Sequence, residues 1–315
     1  MVINMPTPYE AQILAARLRQ LTLVAQQQRT LDAVLSQVHE TASKRIADTA
    51  GGTNAIVKRQ RWRQLQSQLG DIIDGGMDNV RDVIVRDMTV SARYAIDARV
   101  KGSVAMLTPF RPDLAGQVPA AFATVPRDAL NSLLARTHMD GKTFSKRIWD
   151  FRKYSHNVIS QTVSRGILEG KSAYELSREL EAFLVMSKDE AKAFSRVWAE
   201  KHTEEWKAAW KTRGRLKYNA MRLARTEINH AFREGSVQSA KRAPWVRGLK
   251  WRLSASHPKP DICDEWASAD PSGMGPGVYL PDDTPVDHPT GFCFVTDELV
   301  SKEELMDIVR LEVAA

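Results

Sequence analysis

Residues able to ligate a metal gather in the last fifth of the chain: Cys263, His288 and Cys293, with His257, Asp261 and Asp264 close by in sequence. Thiolate sulfur, imidazole nitrogen and carboxylate oxygen in that number suffice for a tetrahedral zinc site. The spacing argues the other way. There is no CxxC pair and no closely spaced HxxxH, and a long segment separates Cys263 from His288. His288-Pro289 equally suits a turn, and both thiols equally suit a core as small apolar groups. Zinc held by Cys263, His288 and Cys293 stays open as one reading. The expectation taken forward is that no cofactor is needed.

A second chemical feature lies upstream, in the run Arg225-Thr226-Glu227-Ile228-Asn229-His230. At about 100° per residue a helix over 216–232 places Leu216, Ala220, Leu223, Ala224, Ile228 and Ala231 on one face, and Glu227 falls inside that stripe. A buried, unpaired carboxylate is costly, so Glu227 requires a cation, hydrogen-bond donors, a proton or a reactive site. No second acid, serine nucleophile or ligand run lies near it. The expected role is therefore structural: Glu227 pins a small C-terminal lobe to the helix, and no catalytic residue is assigned. Arg222, Arg225, Asn229 and Arg233 are expected on the opposite side as a basic polar ridge suited to phosphate, and His230 at the helix edge.

The elements that position these residues are mostly helices. Apolar residues recur at three and four from Tyr9 to about Thr49, first as Leu14, Leu18, Leu21 and Ala25, then as Leu31, Leu35, Val38, Ala42 and Ile46. This predicts a long amphipathic helix or helical hairpin that Gly51-Gly52 ends. Helical pattern returns at 58–74 and, after Gly75-Gly76, from Asp78 to about Val104. Pro109, Pro112, Gly116, Pro119 and Pro126 punctuate the next stretch, which is expected to be a linker or extended arm over 109–126. A second long helix, lined by Phe144, Ile148, Phe151, Val158, Thr162 and Ile167, should end at Gly170. Ser172 with Glu175, Ser187 with Glu190 and Ser301 with Glu304 have capping-box spacing. Beyond Pro244, strands are expected at Arg247–Leu253 and Phe292–Thr296, flanking a segment rich in Pro, Gly, Asp and Ser.

The fold class expected is mainly α with a small α+β C-terminal lobe. Its divisions are a helical N-terminal docking module at 1–108, the linker at 109–126, a helical central part at 127–245 and the lobe at 246–315.

Composition bounds the class. Of 315 residues, 43% are hydrophobic and 26% charged, which suits a chain with a sizeable core. Two cysteines exclude a disulfide-rich scaffold. No apolar run of about eighteen residues occurs, and Met1 to Tyr9 lacks the order of a secretory signal, so a cytosolic product is expected. Net charge is +7, distributed unevenly: residues 201–252 carry fourteen Lys/Arg against four Asp/Glu, whereas 253–315 carry three against thirteen. Such a basic stretch suits phosphate, with the acidic one folding onto it or limiting indiscriminate binding, and two solvated surfaces of opposite sign account for the pattern equally well.

From Thr143 to Thr296 the chain resembles the Mu F-like family of tailed-phage head morphogenesis proteins, also described as minor head proteins. The resemblance rests on Arg147-Ile148-Trp149, the Gly166-to-Ser172 turn, Ala224-Arg225-Thr226-Glu227, the Trp251 strand, Asp261-Ile262-Cys263 and His288-Pro289. Its structural motif maps to Arg225, Thr226, Glu227, Trp251 and His288. Members commonly carry CxxC and HPxCxC. Here Trp266 stands in the first pair and Gly291 in the second, so the resemblance implies a hydrophobic Trp266 plug or a weaker mixed-ligand site, the plug being preferred.

The resemblance implies a non-enzymatic minor capsid protein of a phage or prophage, acting in procapsid assembly near the portal. It implies a place in the virion, inside the capsid or at the portal, after assembly in the host cytoplasm. Expected partners are portal, scaffold or major capsid protein, with no membrane. Phage double-stranded DNA would be contacted non-specifically through Lys207, Lys211, Arg213, Arg215, Arg222, Arg225 and Arg233. The alternative is a metal-assisted hydrolase or nuclease acting on nucleic acid, with Glu227 as general base and zinc on Cys263, His288 and Cys293.

Overall fold

A computed structural model describes residues 7–137, 141–186, 190, 216–255, 257, 260–289 and 291–311. The chain is mainly helical with a small three-stranded antiparallel sheet near its C-terminus. The helices are α1 (Pro8–Ala50), α2 (Trp62–Leu107), α3 (Pro112–Ala121), α4 (Val125–Ala135), α5 (Phe144–Leu168), α6 (Ala173–Leu184), α7 (Leu216–Ala240), α8 (Ile262–Ser268) and α9 (Lys302–Leu311). The strands are β1 (Val246–Arg252), β2 (Val278–Tyr279) and β3 (Phe294–Leu299).

Two compact units form, and neither is a continuous stretch of chain. One gathers Met1–Ala25, Val85–Arg136 and Arg225–Ala315; the other gathers Gln26–Ile84 and Thr137–Ala224. The linear division at 109–126 is thus corrected. Residues 112–121 and 125–135 are helices, because Pro112 and Pro126 stand in first turns, where a backbone N–H has no intrahelical partner to lose. Pro119 lies inside α3, which ends two residues later.

In the unit of interrupted helices around Gln26–Ile84, Leu31, Leu35, Val38, Ala42 and Ile46 are all buried, as their spacing predicts. Gly51 and Gly52 have φ of 90° and 147° and end α1. Gly75-Gly76 does not end a helix. A Cβ on Gly76 would lie 2.2 Å from Val38 Cγ2, so this glycine permits close helix packing instead. Ser172 and Glu175 form the expected capping box at α6. Lys171 and Glu179 pair at 2.5 Å, where α6 meets the end of α5. Ser187 lies outside the described residues.

The other unit holds the sheet, in the order β2-β1-β3, with Trp251 opposite Val295 and Leu249 opposite Tyr279. β2 and α8 carry no signal that the sequence reading used. Tyr9, Ile13, Ile96, Leu107, Val118, Phe122, Trp245, Leu249, Trp251 and Val295 belong to one buried cluster with Cys263 and Cys293. Within it Asp297 is a buried charge with full compensation. It accepts from Tyr9 Oη at 2.7 Å and from Arg99 Nε and a terminal nitrogen at 3.0 and 2.6 Å.

In this unit the first half of α1 buries Ile13, Ala16, Arg17, Gln20, Leu23 and Val24. The expected stripe of Leu14, Leu18, Leu21 and Ala25 is therefore on the wrong face; Leu18 is 67% exposed.

Candidate functional site

Residues 226–237 of α7 are buried on every side, so the expected division of this helix into an apolar face and a basic ridge fails there. A helix buried all round must pair each polar side chain internally. Asn229, His230 and Arg233 do so by holding the segment 284–293. The Arg233 guanidinium donates from Nε to Pro285 O at 2.5 Å and from a terminal nitrogen to Thr284 O. Burial pulls its pKa down to about 10, with Glu234 opposing, so it stays charged near neutrality. His230 Nε2 faces Asp287 O at 2.9 Å and must donate, which leaves Nδ1 to accept from Arg136 at 2.7 Å. His230 is a neutral buried connector, not a helix-edge residue.

Asn229 uses both ends of its amide. Its Oδ1 accepts from Arg17 at 2.8 Å and Gln20 at 3.2 Å; its Nδ2 donates to Asp287 Oδ2 at 2.6 Å and Cys293 O at 3.3 Å. Arg17 also donates to Gln20 Oε1 and Phe292 O, and its guanidinium lies over the Phe294 ring at 5.0 Å. Burial lowers the Arg17 pKa to about 10. Asp287 is raised to about 6 by burial, against the pull of His288 and Arg17. Asn229, His230 and Arg233 pin the 284–293 segment in the way expected of Glu227. Glu227 itself is 1% exposed, and Thr226 is buried beside it.

Next to this clamp lies the cysteine and histidine cluster. The chain leaves β1, reaches His257, then turns into α8, whose cap is Asp261: Asp261 Oδ1 accepts from Cys263 N at 2.8 Å, and Asp264 Oδ2 accepts from Asp261 N at 2.8 Å. Cys263 and Cys293 are buried thiols and form no disulfide. Cys263 Sγ donates toward Asp287 Oδ1 at 3.6 Å, and Cys293 Sγ lies 3.9 Å from His257 Nδ1. Burial raises both thiols, which leaves them protonated and poor nucleophiles while no cation is bound. His257 Nε2 bonds Asp264 Oδ2 at 2.8 Å, and that bond raises the His257 pKa. His288 Nε2 lies 3.1 Å from Asp261 Oδ2, and its Nδ1 is 3.1 Å from Pro289 O. Asp261, Cys263 and His288 present donor atoms that all lie within 4.8 Å of one another.

Both positions at which the chain departs from the cysteine pattern have a physical occupant. Trp266 packs edge-on against Trp251, with ring centroids 5.1 Å apart at 76°. A Cβ on Gly291 would fall 2.2 Å from Asp287 Oδ1, so the Asp287 carboxylate fills the volume that a side chain at 291 would take. Trp251 is buried in β1 as the core of the lobe.

The proposed phosphate contacts are dispersed by the structure. Arg222 is exposed, Arg225 is half-buried with its guanidinium 5.0 Å over Phe292, and Arg233 is buried and spent on carbonyls. Burial removes Arg233 from any phosphate-facing ridge. Lys207, Lys211, Arg213 and Arg215 lie outside the described residues. Arg17, Gln20 and Asp287 were missed by sequence reading; Arg17 and Gln20 lie on the buried face of α1, which is not the face that apolar periodicity picks out. In comparisons with protein-family models, curated proteins and solved structures, nothing matches this chain.

Proposed function

We propose that this chain is a non-enzymatic minor capsid or head morphogenesis protein of a tailed phage or prophage, acting in procapsid assembly near the portal. The observation that carries the reading is the use of polar groups around α7. Asn229, His230 and Arg233, beside the Arg225-Thr226-Glu227 motif, donate into the 284–293 segment and hold the lobe, which is what a rigid adaptor requires. Trp251 and His288, the other parts of the resemblance, lie in that same lobe. The hydrolase alternative needs water at Glu227, and a carboxylate 1% exposed is poorly placed to activate it.

Partners in this reading are portal, scaffold or major capsid protein, met by helical surfaces. Double-stranded DNA is a secondary contact through phosphates, with Arg222 as its exposed described member. The test is co-sedimentation of the tagged chain with procapsids produced by the phage or prophage that encodes it. Retention in portal-containing procapsids supports the reading; exclusion from procapsids, together with failure to bind portal or capsid protein, overturns it. For the DNA contact, affinity for a short duplex should fall steeply with salt and weaken on Arg222→Ala combined with Lys207→Ala and Lys211→Ala. Affinity indifferent to both removes that part.

A further inference from the structure

We propose that the C-terminal lobe binds one zinc-class transition-metal ion through His257, Cys293, Cys263 and His288, forming a closed structural site. This goes beyond the assembly reading and does not rest on it.

The donors form an unbroken string. His257 Nδ1 is 3.9 Å from Cys293 Sγ, the buried Cys263 and Cys293 thiols act on each other, and Cys263 Sγ, His288 and Asp261 lie within 4.8 Å of one another. They come from three separate segments: the chain after β1, helix α8, and the segment entering β3. A single ion would therefore tie together the loops that flank the sheet, which is the use of a structural site with four protein ligands.

Each imidazole is set as a ligand by its other nitrogen. His257 Nε2 is committed to Asp264, so Nδ1 is the atom that faces Cys293. His288 Nδ1 is placed to donate to Pro289 O, which leaves Nε2 as a lone pair directed into the cluster. A carboxylate or carbonyl behind a histidine is the usual outer support of a metal ligand, fixing tautomer and ring orientation. His288 Nε2 then lies 3.1 Å from Asp261 Oδ2 and 3.8 Å from Asp287 Oδ1, yet it makes no directed hydrogen bond. In the neutral ring that lone pair faces two carboxylates, a repulsion that a proton on Nε2 or a metal cation among the donors removes. The donor set decides the class of ion: two sulfurs and two nitrogens select zinc, or cobalt in its place, over magnesium or calcium. With four protein ligands no coordination position is left for substrate, so the ion stabilises and does not catalyse.

The full chain, purified under reducing conditions and stripped by chelator, is titrated with cobalt(II) and then zinc(II). One cobalt per chain is expected, with thiolate-to-metal charge-transfer absorption and the intense visible bands of tetrahedral cobalt. Zinc should displace it and raise the melting temperature. His257→Gln and His288→Gln should each weaken binding more than Asp264→Asn, for which a loss of about 10–100-fold is expected because Asp264 only supports His257. A folded wild-type chain that shows no thiolate–cobalt band overturns the site. Binding by both histidine variants as tight as wild type overturns the ligand assignment, and the Asp264→Asn series tests it in a chain whose ligands are all intact.

Discussion

Two polar clusters share the C-terminal lobe and close their hydrogen bonds differently. Around α7, Asn229 uses donor and acceptor, His230 uses both ring nitrogens, and Arg17 and Arg233 end on carbonyls. A few residues away, two thiols and two imidazoles face one another and two carboxylates, and His288 Nε2 lacks a directed hydrogen bond. A cluster satisfied by well-aligned donors fixes a geometry, whereas thiols and imidazoles in longer contacts keep donor atoms that a metal ion can use. The contrast sets the clamp apart from the proposed ligand site.

The largest effect should come from breaking the clamp. Asn229→Leu leaves Arg17 and Asp287 buried without the amide that joins them, and stability should fall by about 3–5 kcal/mol, read from the denaturant midpoint. A loss below about 1 kcal/mol would mean that the clamp does not hold the lobe. Next, Gly235→Ala should cost about 1–3 kcal/mol, because the new Cβ would lie 2.6 Å from the backbone oxygen of Ala92, which has no flexible end to move. Ser172→Ala, in the unit without either cluster, should cost about 1 kcal/mol by loss of the capping box. It should leave metal binding untouched; any change in cobalt affinity would show that stability alone controls the site. The smallest effect sharpens the contrast most. Without metal, His257→Gln should melt with wild type, and with zinc it should lack the rise in melting temperature that wild type shows. A variant already destabilised without metal would show that the His257–Asp264 bond supports the lobe by itself.

Legibility followed the chemistry of the buried stripe. The second half of α1 was readable because Leu31, Leu35, Val38, Ala42 and Ile46 are apolar at every buried turn. The first half misled because Arg17 and Gln20 hold buried positions while Leu18 and Leu21 face outward. Periodicity detects burial only where burial is apolar. The misfit of Glu227 was legible on α7, but its neighbours Asn229 and Arg233 were assigned outward because their partners, Thr284, Pro285 and Asp287, are 51 to 58 residues away. The prolines of 109–126 read as breakers, although two of them begin helices. In the cysteine cluster the residue types were visible from the start. What spacing concealed is that α8 turns Cys263 back toward Cys293 and His288, and that Asp287 occupies the space above Gly291.

The interleaving of the two units reaches into how the protein is made. Tyr9 on the first helix donates to Asp297 on the last strand, 288 residues on, and Arg17 reaches Phe292 across 275. On the ribosome the helix that carries Tyr9 and Arg17 cannot find these partners until residues 292–297 have been made. Gln26–Ile84 and Thr137–Ala224 are complete well before that point. Synthesis should therefore pass through an intermediate with one unit built and Tyr9 to Val24 still uncovered, a window in which a chaperone or an assembly partner could take hold.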